Sequence, residues 1–285
     1  MDIACKILIP NVIKSRARGK EFLGLLLKHF PLQIPERYGR EEPLRKKFAA
    51  NDLNAVLNEW GHLGFTAERR TPRLFFDVWF AIENVPQPEH TSVHLDLQLS
   101  HAELPQVIEF LTESSTLFGA DLALAHILTR NEFDERLEML RQEPNSRPDY
   151  ILERLSTLGL LETLGGMTVM QFKPAVIRRG IPELCWLTVF GSPYVELFGK
   201  DRILSAPATE ISELNNGALM VRLTDGLGDD AQSWCTFKDV QRRCKEHLNS
   251  NAFFDAINDS DRLRVVRNAP SFRFPIELYK ARTTC

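Results

Sequence analysis

An apolar run that stops abruptly at a glycine is the feature that most constrains this chain. Residues Leu184–Phe190 are rich in strand-forming side chains, and the run ends at Gly191. Ser192 and Pro193 then form the pair expected at a helix N-cap and first helical position, and Gly199 supplies a C-terminal stop. The segment therefore predicts a buried strand that delivers the chain into a short capped helix. It carries no nucleophile, metal ligand or phosphate loop at the junction, so we interpret it as architectural.

The first half of the chain predicts alternating helices and strands. Apolar side chains at three- and four-residue spacing indicate helices, and the alternation within Thr91–Leu99 indicates a half-buried strand. This strand is predicted to pair with Leu74–Ile82 in an antiparallel hairpin. Ser100 and Glu103 form a capping box before the next helix. The predicted elements are helices at Ala17–Phe30, Leu53–Leu63 and His101–Phe118, and strands at Leu74–Ile82, Thr91–Leu99 and Leu122–Leu128.

The second half predicts a comparable order of elements, which suggests two quasi-equivalent halves. A short connection at Glu143–Pro148 separates them, and the apolar content is even on both sides. We therefore predict one compact α+β domain over residues 1–285, with antiparallel strands, helices packed on them and a sub-boundary near residues 143–148. The predicted elements are helices at Phe133–Arg141, Asp149–Leu158 and Thr236–Leu248, and strands at Leu184–Phe190 and Ala218–Leu223.

Composition and cysteine usage favour a soluble protein of a reducing compartment. Of the 285 residues, 44% are hydrophobic and 26% are charged, as in an ordinary globular chain. The five cysteines include no C-x-x-C pair, and Cys185 lies in an apolar run where a reduced thiol is expected. Asp2 stands where a signal peptide carries positive charge, and no stretch approaches the length of a membrane span. We predict a cytoplasmic protein without membrane association.

Charge is distributed unevenly along the chain. Residues 1–70 carry 13 basic and 8 acidic side chains, whereas residues 71–285 carry 22 basic and 30 acidic ones. One interpretation is an ordinary solvated surface. The other is an acidic face that meets a basic partner, such as a nuclease that must bind phosphates. The basic residues form no stripe with interleaved aromatic side chains, so we do not expect this chain to bind nucleic acid.

The acidic turn after residue 224 supplies the first candidate for partner binding. Asp225, Asp229 and Asp230 lie on a glycine-containing segment that is predicted to be flexible and exposed, and Trp234 beside it is predicted to be the most exposed tryptophan. Trp79 and Trp186 lie in apolar strands and are expected in the core. An ordinary exposed turn is the alternative interpretation. The second candidate, the short helix with Tyr194 and Glu196, lies elsewhere in the sequence.

A metal site at His90, His94 and Asp96 is the main enzymatic alternative. These residues share the polar side of one strand, where a solvated histidine is the commoner outcome, and spacing alone supplies no fourth ligand. The chain contains no nucleophile elbow, Walker loop, dinucleotide fingerprint or H-E-x-x-H motif. We therefore expect a binding protein without catalytic residues, metal or cofactor.

Two stretches carry a resemblance to a known family. Trp186–Gly191 reads W-L-T-V-F-G and is followed by P-Y-V-x-L-F-G and R-I-L-S-A-P-A, while Pro35–Leu44 reads P-E-R-Y-G-x-x-E-P-L. With the strand at Arg73–Ile82, this pattern resembles the immunity proteins of type VI secretion and polymorphic toxin systems, in particular the immunity protein fifty-two family. The resemblance implies a protein that binds a cognate effector toxin, often a nuclease of the restriction-endonuclease type, and blocks it sterically.

Overall fold

The fold is built on one antiparallel sheet, which confirms the predicted α+β class. The computed structural model describes residues 1–10, 13–40, 43–62, 64–80, 90–131 and 184–253. Every neighbouring pair of strands in this part of the chain is antiparallel. The strands are β1 (Asp2–Ile9), β2 (Arg37–Gly39), β3 (Lys46–Lys47), β4 (Gly64–Arg69), β5 (Leu74–Trp79), β6 (Thr91–Gln98), β7 (Leu122–Leu128), β8 (Leu187–Phe190), β9 (Glu210–Glu213) and β10 (Leu219–Arg222).

The described α-helices lie on both faces of the sheet. None of them combines the length and apolar character needed to cross a membrane. Their bounds are α1 (Arg16–His29), α2 (Leu53–Leu57), α3 (Leu104–Phe118), α4 (Ser192–Phe198), α5 (Lys200–Leu204) and α6 (Ala231–Leu248).

Strand β1 lies at the centre of the sheet, although sequence analysis did not predict it. The strand order is β3-β2-β4-β5-β6-β1-β7-β8-β10-β9. β1 pairs with β6 over its full length and with β7 from Asp2 to Leu8. Its Ile-Ala-Cys-Lys-Ile-Leu-Ile sequence has no clear alternation, because a strand that is buried on both faces takes apolar residues at nearly every position.

The two faces of the sheet carry different helices. On the first face, which bears Cys5 and Ile7, Phe22 of α1 stacks on Phe76 of β5 with ring centroids 5.7 Å apart, and Phe110 of α3 completes the aromatic cluster. On the second face, Phe198 of α4 packs against Phe190 of β8, and Phe237 of α6 packs against His126 of β7. The second face also bears Ala4 and Lys6, so β1 contributes to both layers.

Local capping explains where several elements begin and end. The predicted capping box is confirmed, because the carboxylate of Glu103 accepts hydrogen bonds from both the backbone N–H and the hydroxyl of Ser100, each 2.8 Å long. α2 ends at Leu57, earlier than predicted, and the Asp52 side chain makes no capping bond. The chain leaves the helix before Gly61, whose φ of +93° suits a residue without a Cβ.

The junction between β8 and α4 corrects the predicted cap by one residue. α4 begins at Ser192 and its N-cap is Gly191, so Ser192 lies within the helix and makes no capping bond. A Cβ at Gly191 would lie 2.1 Å from the carbonyl oxygen of Ala120, which explains why a glycine is needed there. The predicted stop at Gly199 is confirmed, with φ of +84°.

The described strands do not repeat one order in the two halves of the chain. β6, the last strand before α3, returns beside β1, whereas β8 lies beside β7 and β10 separates it from β9. The predicted quasi-equivalence of the two halves therefore gains no support from these strands and stays a prediction. The predicted helices at Phe133–Arg141 and Asp149–Leu158 and the connection at Glu143–Pro148 lie outside the described residues, so the single domain stays a prediction.

Candidate partner-binding face

The acidic turn is shaped by the start of α6, which lies five residues before the predicted start at Thr236. Asp230 is the N-cap: its Oδ1 accepts a 2.8 Å hydrogen bond from the backbone N–H of Ser233, and its Oδ2 accepts a 2.7 Å bond from the Ser233 hydroxyl. These two bonds, the hydroxyl bond first, lower the pKa of the Asp230 carboxyl. Asp230 therefore has a structural role that sequence analysis did not anticipate.

The other two carboxylates of the turn are also held by intramolecular bonds. Asp225 lies 2.9 Å from Nη1 of Arg222, yet 87% of its side chain is exposed. Asp229 Oδ1 accepts a 2.9 Å hydrogen bond from the backbone N–H of Arg130, and Asn131 donates to the Asp229 carbonyl at 2.6 Å. These bonds tie the turn to Arg222 and to the end of β7, which the sequence did not predict. A turn held in one conformation loses less entropy when a partner binds.

A cavity of about 210 Å³ opens beside this turn. Its charged and polar walls include Asp2, His101, Arg130 and Asp229, and this size suits one long side chain better than a cofactor. Asp2 is itself held at 3.1 Å by Nη2 of Arg73. The apolar part of the wall is formed by Ile127, Leu128 and Leu227.

The structure corrects the predicted placement of two tryptophans. Trp234 lies in the first turn of α6, is half-buried and stacks on Phe237 with centroids 5.7 Å apart, so it is not an exposed anchor. Trp79 was expected in the core, but 61% of it is exposed. The reason is register, because β5 buries Leu74, Phe76 and Val78 on the first face and places Trp79 on the second. The expectation for Trp186 is confirmed, since it is fully buried.

The short helix α4 offers less surface than its sequence suggested. Tyr194 is 2% exposed and packs on Phe190 with ring centroids 6.1 Å apart, so it is a core residue. Glu196 lies on the exposed side of the helix. Of the two predicted contacts, only Glu196 is therefore accessible.

Two of the three candidate metal ligands, His94 and Asp96, contact each other, whereas His90 contacts Asp121 instead. His90 Nε2 lies 2.9 Å from Asp121 Oδ2, and His94 Nε2 lies 2.9 Å from Asp96 Oδ1. The described part of the chain contains no group of three or more histidine, cysteine or acidic side chains arranged to hold a metal. His90 is also buried, so the expectation of a solvated histidine is wrong for this residue. Each histidine has a carboxylate partner instead.

A row of polar side chains crosses the centre of the second face. Thr66, Asp77, His94 and Lys6 lie directly opposite one another on β4, β5, β6 and β1, and we call these four residues the polar row. The Thr66 hydroxyl donates to Asp77 Oδ1 at 2.8 Å. Burial lowers the pKa of Lys6 to about 8 against the opposing charge of Asp77, and burial likewise raises the pKa of the Asp77 carboxyl.

Sequence analysis missed the polar row, although a signal for it was present. Lys6 interrupts the apolar run of β1, and Asp77 interrupts Leu-Phe-Phe-Asp-Val-Trp-Phe. A charged residue inside an otherwise apolar strand indicates a side chain with a hydrogen-bonding or ionic partner, or a functional role, because burying an unpaired charge costs free energy. The pairing across four strands could not be foreseen without the sheet order.

Comparisons with known proteins leave the family open. No protein-family model matches the chain. No curated protein matches it either. Among solved structures, the T6SS protein PA0821 of Pseudomonas aeruginosa has a TM-score of 0.48 and 9% sequence identity, with 96% of this chain and 88% of that chain covered. Similarity at this level assigns no function, and the resemblance to the immunity protein fifty-two family stays a prediction.

Proposed function

We propose that this chain is a cytoplasmic immunity protein that binds a cognate antibacterial toxin of a type VI or related secretion system and blocks it by steric occlusion. The observation that carries the proposal is the position of Asp229. Asp229, which the sequence predicts as a partner contact, lines the cavity, and the highly exposed Asp225 lies four residues earlier in the same turn. We call Asp225, Asp229 and the cavity wall together the acidic rim.

The fixed geometry of the acidic rim suits binding. Arg222 positions the carboxylate of Asp225, and the backbone of Arg130 positions that of Asp229. A partner that presents basic side chains meets carboxylates that are already placed, so association is steered by charge and costs little ordering of the turn. A nuclease toxin fits this description, because its substrate cleft must attract phosphates. Blocking that cleft requires no chemistry from the immunity protein.

The binding proposal assigns no chemistry to the described pairs of titratable residues. His90 is engaged by Asp121, His94 by Asp96, and Asp230 by the first turn of α6. The metal-dependent hydrolase built on His90, His94 and Asp96 has no specific observation in its favour. Stoichiometric tight zinc in the purified protein would nevertheless contradict the binding proposal.

Co-expression with the product of a neighbouring toxin-sized reading frame tests the proposal. We expect protection of the cells and a stable one-to-one complex on size-exclusion chromatography. The double variant Asp225→Ala, Asp229→Ala should weaken the complex. Glu109→Ala serves as a matched control that should leave the complex unchanged, because Glu109 is an exposed acidic residue of α3 on the opposite face of the sheet. Inactivation of excess toxin by a trace of this protein would show turnover and overturn steric occlusion.

A further inference from the structure

Trp79 is the one aromatic side chain among the large apolar residues that the described part of the chain leaves exposed. Its exposed fraction is 61%, whereas the residues before and after it in the chain, Val78 and Phe80, are 0% and 4% exposed. Exposed tryptophan on a flat sheet surface is unfavourable in water, and such residues are enriched at the energetic centres of protein interfaces.

The surroundings of Trp79 leave one ring face available. On the inner side the ring lies over β4, because a Cβ at Gly64 would lie 3.8 Å from Trp79 Cε3. The Trp79 side chain acts on the nearby Asp77 carboxyl, which accepts a 2.8 Å hydrogen bond from the Thr66 hydroxyl. The ring therefore lies against a neighbouring strand and near a carboxylate, while 61% of the residue is exposed.

Charge around this ring favours a cationic ligand. The groups that act on the Asp77 carboxyl are the Thr66 hydroxyl, the Trp79 indole, His94 and Lys6. Counting Asp96, which bonds His94, the described residues here hold two carboxylates, one ammonium and one imidazole. The Asp77 carboxylate is the member of this set that acts on the Trp79 side chain, and a carboxylate beside an exposed aromatic ring attracts a cationic ligand.

We propose that Trp79, with Asp77 and Thr66 beside it on the same face of the sheet, is a docking point for an arginine side chain of a protein partner. A guanidinium is planar, so it can stack on the outer face of the indole while its N–H groups point towards the carboxylate. A lysine ammonium gains the charge interaction but lacks the planar stack. The proposal rests on the proposed function only for the identity of the partner, the toxin.

The docking point and the acidic rim lie on the same face of the sheet. Arg73, which holds Asp2 at the cavity wall, comes just before β5 and six positions before Trp79, a separation of about 20 Å at the rise of a β-strand. Strands β6 and β1 lie between β5 and β7, so the Asp229 end of the cavity is farther from Trp79 than the Arg73 end. A partner that covers both the docking point and the Arg73 end of the cavity needs an interface of at least standard size.

Binding of blocked, fluorescein-labelled hexaarginine and hexalysine peptides, followed by fluorescence anisotropy at low salt, tests the docking point directly. We expect hexaarginine to bind at least threefold tighter than hexalysine, and Trp79→Ala to weaken hexaarginine binding at least fivefold. Trp79→Phe should give an intermediate affinity, and Asp77→Asn should reduce the preference for arginine. Leu32→Ala is the matched control, because Leu32 is 69% exposed in the α1–β2 loop and its removal should change nothing.

Equal affinities for the two peptides, or an unchanged affinity of Trp79→Ala, would overturn the docking point. Thermal unfolding of each variant shows whether the fold is retained. If the protein neutralises its toxin and Trp79→Ala neutralises it equally well, the docking point is wrong while the proposed function stands. If the peptide results hold but no toxin is neutralised, the docking point stands and the proposed function fails.

Discussion

The carboxylate of Asp229 accepts a 2.9 Å hydrogen bond from the backbone N–H of Arg130, 99 positions earlier in the chain. This bond ties the loop before α6 to the end of β7, and it places Asp229 at the wall of the cavity. A residue that looks like part of a free acidic turn in the sequence is therefore part of a fixed surface. The position of that surface determines which substitutions affect binding and which affect stability.

Neutralising Asp225 should slow association with the proposed toxin partner. Its side chain is 87% exposed, and charges at the rim of an interface act mainly through long-range steering. We expect Asp225→Asn to lower the on-rate about two- to fivefold at low salt, with a smaller effect at high salt and little change in the off-rate. Surface-binding kinetics against the toxin at several salt concentrations measures this, with Glu109→Gln as the control. A salt-independent on-rate in the parent protein would contradict electrostatic steering by this turn.

Removing the N-cap of α6 should lower thermal stability, in contrast to an ordinary exposed turn. The Asp230 carboxylate accepts both the backbone N–H and the hydroxyl of Ser233. We expect Asp230→Ala to lower Tm by about 2–4 °C, while Asp230→Asn, which keeps an acceptor, should lower it less. Differential scanning calorimetry checks this order. Identical Tm values for Asp230→Ala and the parent would show that the cap contributes nothing.

Lys6 should make stability depend on alkaline pH. Its pKa is lowered to about 8 by burial, so between pH 8 and its ordinary value of 10.5 the unfolded chain holds the proton more firmly than the folded one. Folding stability therefore rises with pH through that window, and below pH 8 the cost of burying the charge is fully present. Relative to Lys6→Met, the parent should gain up to about 3 kcal/mol from pH 8 to 10.5. Urea denaturation across this range measures the difference, and parallel pH profiles would contradict it.

Gly191 should tolerate no side chain, whereas Gly24 should accept one. A Cβ at Gly191 would lie 2.1 Å from the Ala120 carbonyl oxygen, but no atom lies within 4 Å of the corresponding position at Gly24. We expect Gly191→Ala to destabilise the fold by about 3 kcal/mol, because backbone must move. Gly24→Ala, in the exposed side of α1, should stabilise it by about 0.5–1 kcal/mol. Chemical denaturation of both variants gives the comparison, and equal effects would refute the packing argument.

Cys235 should be the most reactive of the described cysteines. It is exposed on α6, whereas Cys5, Cys185 and Cys244 are buried. Burial raises the pKa of the Cys5 thiol, and it raises that of Cys244 to about 11, so neither supplies thiolate at neutral pH. In a Cys285→Ser background, a thiol reagent should label one cysteine rapidly and the others only on unfolding. Rapid labelling that persists in Cys235→Ser would contradict the described burial.

Local patterns determined much of the secondary structure. The alternation of Thr91–Leu99 yields β6, with Val93, Leu95 and Leu97 all buried on the first face. The spacing of apolar side chains yields α1, and the Ser100–Glu103 pair yields the capping box. These features depend on residues close together in the chain, where backbone geometry sets which side chains share a face or a turn. For the same reason their bounds agreed to within a few residues.

Long-range pairing decided the candidate site. The polar row exists because β1, β4, β5 and β6 are neighbours in the sheet, an order that no local pattern states. Register decided that Trp79 faces outward, and the early start of α6 decided that Trp234 packs against Phe237. The sequence alone identified Asp225 and Asp229 as exposed acidic residues of one turn. Only the tertiary structure showed that Asp229 lines a cavity and that the exposed Trp79 lies near Asp77. Burial and hydrogen bonding depend on which distant segments of the chain meet, and local sequence does not state that.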